Sequence, residues 1–251
     1  MTDSGTLTPL LTRLLTESPI DGFVLDKDIF SRLETHWREV KETNEKFNLT
    51  AIVNDEDAAV KHYWDSLFLS SYINNMNISN THKEKIRCVD VGSGAGFPGL
   101  VLATACSDSE WTLIDSLRKR CDFLEKVAEA MGTAVAVCHM RAEDGGRCGD
   151  LRSGFGVATA RAVSALPVLL EYCLPYLRVG GIFLAMKGPA AKDELASSSR
   201  ALKELKGRLR ENLEYALPVS GERRTLLVIE KTGETPAKYP RHAAIMKKEP
   251  L

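Results

Sequence analysis

The stretch Ile86-Arg-Cys-Val-Asp-Val-Gly-Ser-Gly-Ala-Gly-Phe-Pro-Gly99 decides the fold. Cys88 to Val91 is short, apolar and β-branched, with Asp90 near its end, and predicts a buried parallel strand. Glycines at 92, 94, 96 and 99 follow at once, and Leu100 to Ala105 then predicts a helix with Pro98 near its first turn. Strand, glycine turn and helix in succession make a nucleotide-binding crevice at the carboxyl end of a strand. Gly94-Ala-Gly-Phe-Pro-Gly99 matches the dinucleotide fingerprint by letter, a weak signal alone. Asp90 argues against it: a carboxylate two residues before the first glycine would repel a pyrophosphate, yet suits a ligand carrying an ammonium group. S-adenosylmethionine has an amino group, a sulfonium cation and no phosphate, and is the cofactor these residues lead us to expect.

Downstream, strands and helices alternate. Trp111 to Ile114 predicts a second strand ending in Asp115, 25 residues after Asp90, where a carboxylate's two oxygens can accept both ribose hydroxyls. Ser116 to Met131 reads as a helix opened by the basic run Arg118-Lys-Arg120. After a third strand, Val135 to His139, the loop Arg141-Ala-Glu-Asp144 sits where an adenine would lie. Ala142, Glu143 and Asp144 are candidates to receive its N6 amine, with a solvated loop the equal alternative. Gly156 to Ala160 is the fourth strand, with Arg161 at the carboxyl edge where such folds bind ligands. Ala165 to Leu177 reads as helix, Gly181 to Met186 as the fifth strand, and Asp193 to Arg210 as a charged, solvated helix. Asn212 to Val219 and Arg224 to Glu230 are strands joined by so short a link, Ser220-Gly-Glu-Arg223, that they must be antiparallel. The expected class is α/β: a Rossmann-like class I S-adenosylmethionine-dependent methyltransferase with a mostly parallel seven-stranded sheet and a late antiparallel hairpin. An N-terminal helical extension (1–85) precedes the methyltransferase domain (86–235), and a basic tail (236–251) ends the chain.

The extension lacks that alternation. Thr8 is the expected N-cap of a helix through Leu15, and Asp26 caps a longer one with a stripe at Ile29, Leu33, Trp37 and Val40. Asn44 to Thr50 is a polar break. Asp55 to Ile73 then reads as one helix, on which His62 and Asp65 share a face where a carboxylate can orient an imidazole, although a plain surface pair is the commoner outcome. Asn74 to Lys85 is polar and turn-rich, the expected boundary. Of 251 residues 44% are hydrophobic, enough for one α/β domain and an extension. Net charge is −1, so any nucleic acid must be held by a local basic patch. The cysteines at 88, 106, 121, 138, 148 and 173 show no metal spacing, and no apolar run approaches the ~20 residues of a membrane span. A cytoplasmic location, no metal, no membrane and a monomer are the expectations.

Read together, these segments resemble the bacterial 16S rRNA (guanine-N7) methyltransferases of the GidB (RsmG) family. The resemblance is carried by Phe47-Asn-Leu-Thr-Ala-Ile52, Val60-Lys-His62 with Asp65-Ser66, Val89 to Gly99, Leu113-Ile-Asp-Ser116 with Lys119-Arg120, Ala160-Arg161-Ala162, Lys187-Gly188, Gly221-Glu-Arg223 and Tyr239-Pro-Arg241. It covers the chain from about residue 44 to the end. It implies cofactor contacts at Gly92, Phe97, Ala142, Glu143 and Arg161 beside Asp90, Gly94 and Asp115, and makes Asn48, His62, Arg161 and Arg223 candidates for positioning the substrate. The implied partner is 16S rRNA or the small ribosomal subunit. Two departures stand out: the tail has Ala244 and Met246 where the family has glycine and proline, and the first ~25 residues align with nothing. A methyltransferase acting on a small molecule or protein, and a non-catalytic RNA-binding factor with this fold, are the alternatives. Basic residues at Lys61, Arg161, Lys187, Arg223-Arg224 and the tail from Lys238 to Lys248 are expected to form a positive rim for RNA.

Overall fold

The computed structural model describes residues 6–78 and 84–251; residues 79–83, within the expected boundary, lie outside it. Helix α1 (Leu7–Glu17) starts one residue before the expected cap Thr8. Its free amides are taken by Glu34, which accepts from Leu7 at 3.4 Å and Thr8 at 2.8 Å. Asp26 does cap α2 (Lys27–Asn44), accepting from Asp28 and Ile29. The single helix expected over 55–73 is instead four pieces: α3 (Asp55–Ala58), a π-helical turn (Ala59–Trp64), α4 (Asp65–Leu67) and α5 (Ser70–Ile78). The last runs beyond Ile73 into the expected boundary.

From there the chain alternates as expected: β1 (Ile86–Val91), α6 (Gly99–Ala105), β2 (Ser109–Asp115), α7 (Arg118–Met131), β3 (Val135–His139), α8 (Ala142–Gly145) and β4 (Phe155–Arg161). Then come α9 (Leu166–Cys173), β5 (Leu177–Lys187), α10 (Ala191–Ala196), α11 (Ser199–Leu205), β6 (Gly207–Ala216), β7 (Arg223–Lys231) and α12 (Ala243–Lys248). The seven strands run in the order β3-β2-β1-β4-β5-β7-β6. All neighbouring pairs are parallel except β5–β7 and β7–β6, so the hairpin inserts β7 between β5 and the edge. The helix expected to reach Arg210 stops at Leu205. Lys206 takes a left-handed φ of +59°, and the edge strand β6 starts at Gly207.

Each face of the sheet has its own core. On one, Leu100 and Phe123 of α6 and α7 join Leu11, Leu33, Trp37 and Tyr63 of the extension, so helices before residue 79 share the sheet's core. Burying each large side chain of this kind contributes ~1.5–3 kcal/mol. On the other, Leu169, Leu205, Tyr239 and Met246 come together, and the last two belong to the tail. The tail is therefore docked against that face. Arg241 is consumed there, its Nη2 2.7 Å from the fully buried Glu171.

Candidate active site

Parallel strands bring their carboxyl ends to one edge, and strand order reverses between β1 and β4. Ligands of open α/β sheets bind at such a reversal. A cavity of about 400 Å³ opens there, lined by the glycine loop after β1, the ends of β2, β3 and β4, and Leu49, Thr50 and His62 of the extension. Apolar strands ending in loops of small residues leave this space, since glycine lets the chain turn with φ > 0. Gly92 and Gly94 have φ of +79° and +58°. A Cβ on Gly92 would come within 2.7 Å of Val163, while one on Gly94 would meet nothing closer than 3.9 Å, so Gly94 offers open backbone.

The sequence-predicted residues divide into two groups. Gly92, Gly94, Phe97, Asp115, Ala142, Glu143, Arg161 and His62 all line the cavity. Asp115 is fixed by its neighbours: Gly94 N–H donates to Oδ2 and Leu117 N–H to Oδ1, both at 2.9 Å. Each oxygen has a further lone pair beyond the one used here, and Arg120 Nη1 lies 3.6 Å from Oδ2. Glu143 is 4% exposed, and its Oε1 has no hydrogen-bond partner among the described residues. A buried polar atom left unpaired is costly, so Oε1 is an acceptor awaiting a donor.

Asp90, Asn48 and Arg223 do not line it. Asp90 points into the protein, where it accepts from the Thr159 hydroxyl at 2.8 Å and from Gly99 N–H at 3.2 Å. Burial pushes its carboxyl up to about 6. The expectation that Asp90 faces an ammonium is thus corrected: it ties β1 to β4 and to the start of α6. Asn48 is exposed beside Leu49 and Thr50, and Arg223 is exposed at the start of β7.

His62 is not oriented by Asp65. Arg161 holds it, donating from Nη2 to Nδ1 at 3.0 Å and from Nη1 to the Lys61 carbonyl at 2.8 Å. The His62 ring stacks on Phe97 at 4.3 Å and 16°, and its Nε2 lies 2.8 Å from Thr50 Oγ1. Asp65 instead accepts from Tyr215 at 2.6 Å and pairs with Arg161 and Arg224. The expected basic rim is likewise mostly spoken for. Lys61 pairs with Asp57 and Glu222, Lys187 with Glu194, Arg224 with Glu222 and Lys238 with Glu204. Among the described residues no His, Cys, Asp and Glu group could hold a metal, and no helix is long and apolar enough to cross a membrane.

Sequence reading missed His36, Tyr63 and Tyr215. The signal for His36 was weak: it falls within the buried stripe of α2, where its ring passes for filler.

Residues 29–216 match the sequence model of a family described as GidB: rRNA small subunit methyltransferase G. The chain is 40% identical to the ribosomal RNA small subunit methyltransferase G of Acetivibrio thermocellus over 238 residues, 94% of this chain and 90% of that protein. It is 42% identical to the protein of the same name from Alkaliphilus metalliredigens over 233 residues, covering 92% and 94%. Among solved structures it resembles the cofactor-bound Rv0187 from MTB, with a TM-score of 0.59, 13% identity, and coverage of 88% and 97%. It also resembles the branched-chain polyamine synthase from Thermus thermophilus, with a TM-score of 0.53, 14% identity, and coverage of 71% and 59%. Identities that low show a common fold alone.

Proposed function

The chain belongs to the rRNA small subunit methyltransferase G (GidB) family, and on that premise we propose that it transfers a methyl group from S-adenosylmethionine to N7 of a guanine in 16S ribosomal RNA. The observation that carries the cofactor reading is the unpaired, buried Oε1 of Glu143 in the cavity wall. An adenine N6 amine is a donor of the kind that atom lacks. The further lone pairs of Asp115 suit ribose hydroxyls, and the open backbone at Gly94 allows close approach. Glu143, Asp115, Gly92, Gly94, Phe97 and Ala142 would hold the cofactor. When bound, S-adenosylmethionine supplies an electrophilic methyl group on a sulfonium.

The protein's own part is positioning. Guanine N7 carries an in-plane lone pair and no proton, so its methylation needs no general base. His62 is not built as one: burial and the nearby Arg161 charge push its pKa down to about 3, and both ring nitrogens are engaged. Stacked on Phe97, it forms with that ring one part of the cavity wall. Arg161 braces that wall, and its engaged nitrogens leave it little to give a phosphate. Arg223, exposed and in no ion pair among the described residues, is the better phosphate contact. Rate enhancement then comes from holding N7 in line with the methyl carbon and excluding water.

The experiment is to map N7-methylguanine in small-subunit rRNA from cells with and without the gene. N7 methylation makes the glycosidic bond labile, so borohydride and aniline should cleave the RNA at one site that disappears with the gene. RNA that resists cleavage in both strains would sink the proposal.

A further inference from the structure

His36 sits on α2, in the extension, with 0% exposure, yet its ring reaches the glycine loop. Nε2 lies 2.8 Å from the carbonyl oxygen of Ala95, and the Tyr63 hydroxyl lies 3.0 Å from Nδ1. A carbonyl only accepts, so Nε2 carries the proton and donates it. Nδ1 is then a bare lone pair, and the Tyr63 O–H donates to it. The approach depends on the loop's shape. Gly96 has a φ of +94°, and a Cβ there would lie 3.2 Å from His36 Nε2. The loop's other hydrogen bonds go to β1, β2, α6 or itself: Gly92 and Ser93 N–H donate to the Ile114 carbonyl, Gly94 to Asp115, Gly96 to the Ser93 carbonyl, the Ser93 hydroxyl to the Asp90 carbonyl, and Leu100 N–H to the Gly96 carbonyl. Among the described residues, the His36 bond is the hydrogen bond that ties the loop to the extension, whose His62 and Tyr63 rings also pack on Phe97.

We propose that His36 is a positioning residue: held in one tautomer by Tyr63, it anchors the Ala95 carbonyl and so sets the glycine loop in the conformation that receives the cofactor. This rests on the cofactor reading above. It gives the helical extension a part in cofactor binding, through a group that touches no ligand. Without the anchor, the loop spends part of its time in other conformations, and apparent affinity falls by the fraction that stays competent.

The test compares His36→Gln with His36→Asn. The glutamine amide reaches the place of Nε2 and can donate to Ala95. The asparagine amide reaches only the place of Nδ1, so it can meet Tyr63 but leaves the carbonyl bare. In His36→Asn, amides 92–97 of the cofactor-free protein should exchange hydrogen faster, and S-adenosylmethionine affinity should fall roughly tenfold or more. His36→Gln should restore both to within about threefold. For both variants, kcat at saturating cofactor and the KM for RNA should change little, a split that general unfolding does not produce. Equal behaviour of the two variants in exchange and affinity overturns the proposal. If wild-type protein binds no S-adenosylmethionine, the cofactor reading fails, and the exchange comparison still decides the role of His36. Should His36→Asn not fold, His36→Phe keeps a ring without the donor, and unchanged exchange there overturns the proposal equally.

Discussion

Arg161 donates to Nδ1 of His62 across 3.0 Å, and that bond limits what the imidazole can do. A guanidinium has no acceptor, so Nδ1 is unprotonated and the ring's proton is on Nε2, facing Thr50. The ring is neutral, and so is the buried His36, which burial pushes down to about 4.

The first prediction follows from those two values. Both lie below the ordinary histidine value near 6.5, so the unfolded chain takes up these protons first. Stability from the pair is complete above about pH 6.5. It falls as pH drops toward 4 and 3, by on the order of 2 kcal/mol per ring at pH 5. Asp90, raised to about 6, binds a proton in the folded state over the same range and offsets part of the loss. Urea unfolding at pH 7 and pH 5 should show a net loss that is clearly smaller in His36→Gln. Identical losses would mean that the His36 ring is not held neutral.

Gly94 in the loop and Gly99 at the start of α6 should fail in different ways. On Gly99 a Cβ would lie 2.5 Å from Asp90 Cβ and 2.7 Å from Leu113, in a packed interior. Gly99→Ala should therefore cost about 1–3 kcal/mol of stability. On Gly94 a Cβ meets no such wall, so Gly94→Val should pay mainly the strain of a β-branched residue at a left-handed φ while filling the cofactor's approach. Thermal unfolding and calorimetric titration separate the outcomes. Gly94→Val with undiminished affinity would remove the loop from the binding site.

Asp115→Ala should weaken S-adenosylmethionine binding by ~1.5–3 kcal/mol, the worth of hydrogen bonds to a charged acceptor. Part of that loss reflects the loop, since Asp115 also accepts from Gly94. Glu143→Leu should weaken binding while sparing stability, because it removes an acceptor that is unpaired in the folded protein. Calorimetry on both variants checks this; a Glu143→Leu protein that binds normally would place the adenine elsewhere.

Arg223 and Arg224 are adjacent and should behave differently. Arg223→Ala should weaken RNA binding, flatten its salt dependence by about one unit of slope per lost phosphate contact, and leave cofactor affinity intact. Arg224 faces Glu222 and the buried Asp65, so Arg224→Ala should lower thermal stability instead. An unchanged salt slope with full activity would show that Arg223 is no phosphate anchor.

Arg241→Ala should destabilise the protein by about 3 kcal/mol or more, because it strands the carboxylate of Glu171 in the interior. Chemical denaturation measures it. A loss confined to RNA affinity, with stability unchanged, would show that the Arg241–Glu171 pair does not anchor the tail.

The sheet was legible where residues speak locally. Runs such as Cys88 to Val91 and Gly156 to Ala160 are apolar, short and bounded by turn formers, which is how buried parallel strands read. β6 was harder. It is an edge strand carrying Arg208, Arg210, Glu211 and Glu214, charges that guard an edge but resemble a solvated helix when read along the chain. Site residues were legible as positions but not as directions. Asp90 finds Thr159 69 residues away, and His62 finds Arg161 99 residues away rather than Asp65 three residues on. Spacing proposes the nearest partner, and only the pairing of strands reveals the distant one.

The π-helical turn gives four consecutive residues four separate appointments. Lys61 meets Glu222 of the hairpin, His62 meets Arg161, Tyr63 meets His36, and Trp64 donates to the Ser18 carbonyl. An α-helix advances about 100° per residue, and a π turn accommodates one residue more than an α turn. Deleting any one residue between 59 and 64 would leave a regular helix, good by every local measure. The halves on either side would stay in phase, because the π turn already absorbs the extra residue, but with one residue fewer the four partners could not all be met. Loss of a single residue from this segment should therefore spare the helices on either side and show its cost at those four contacts.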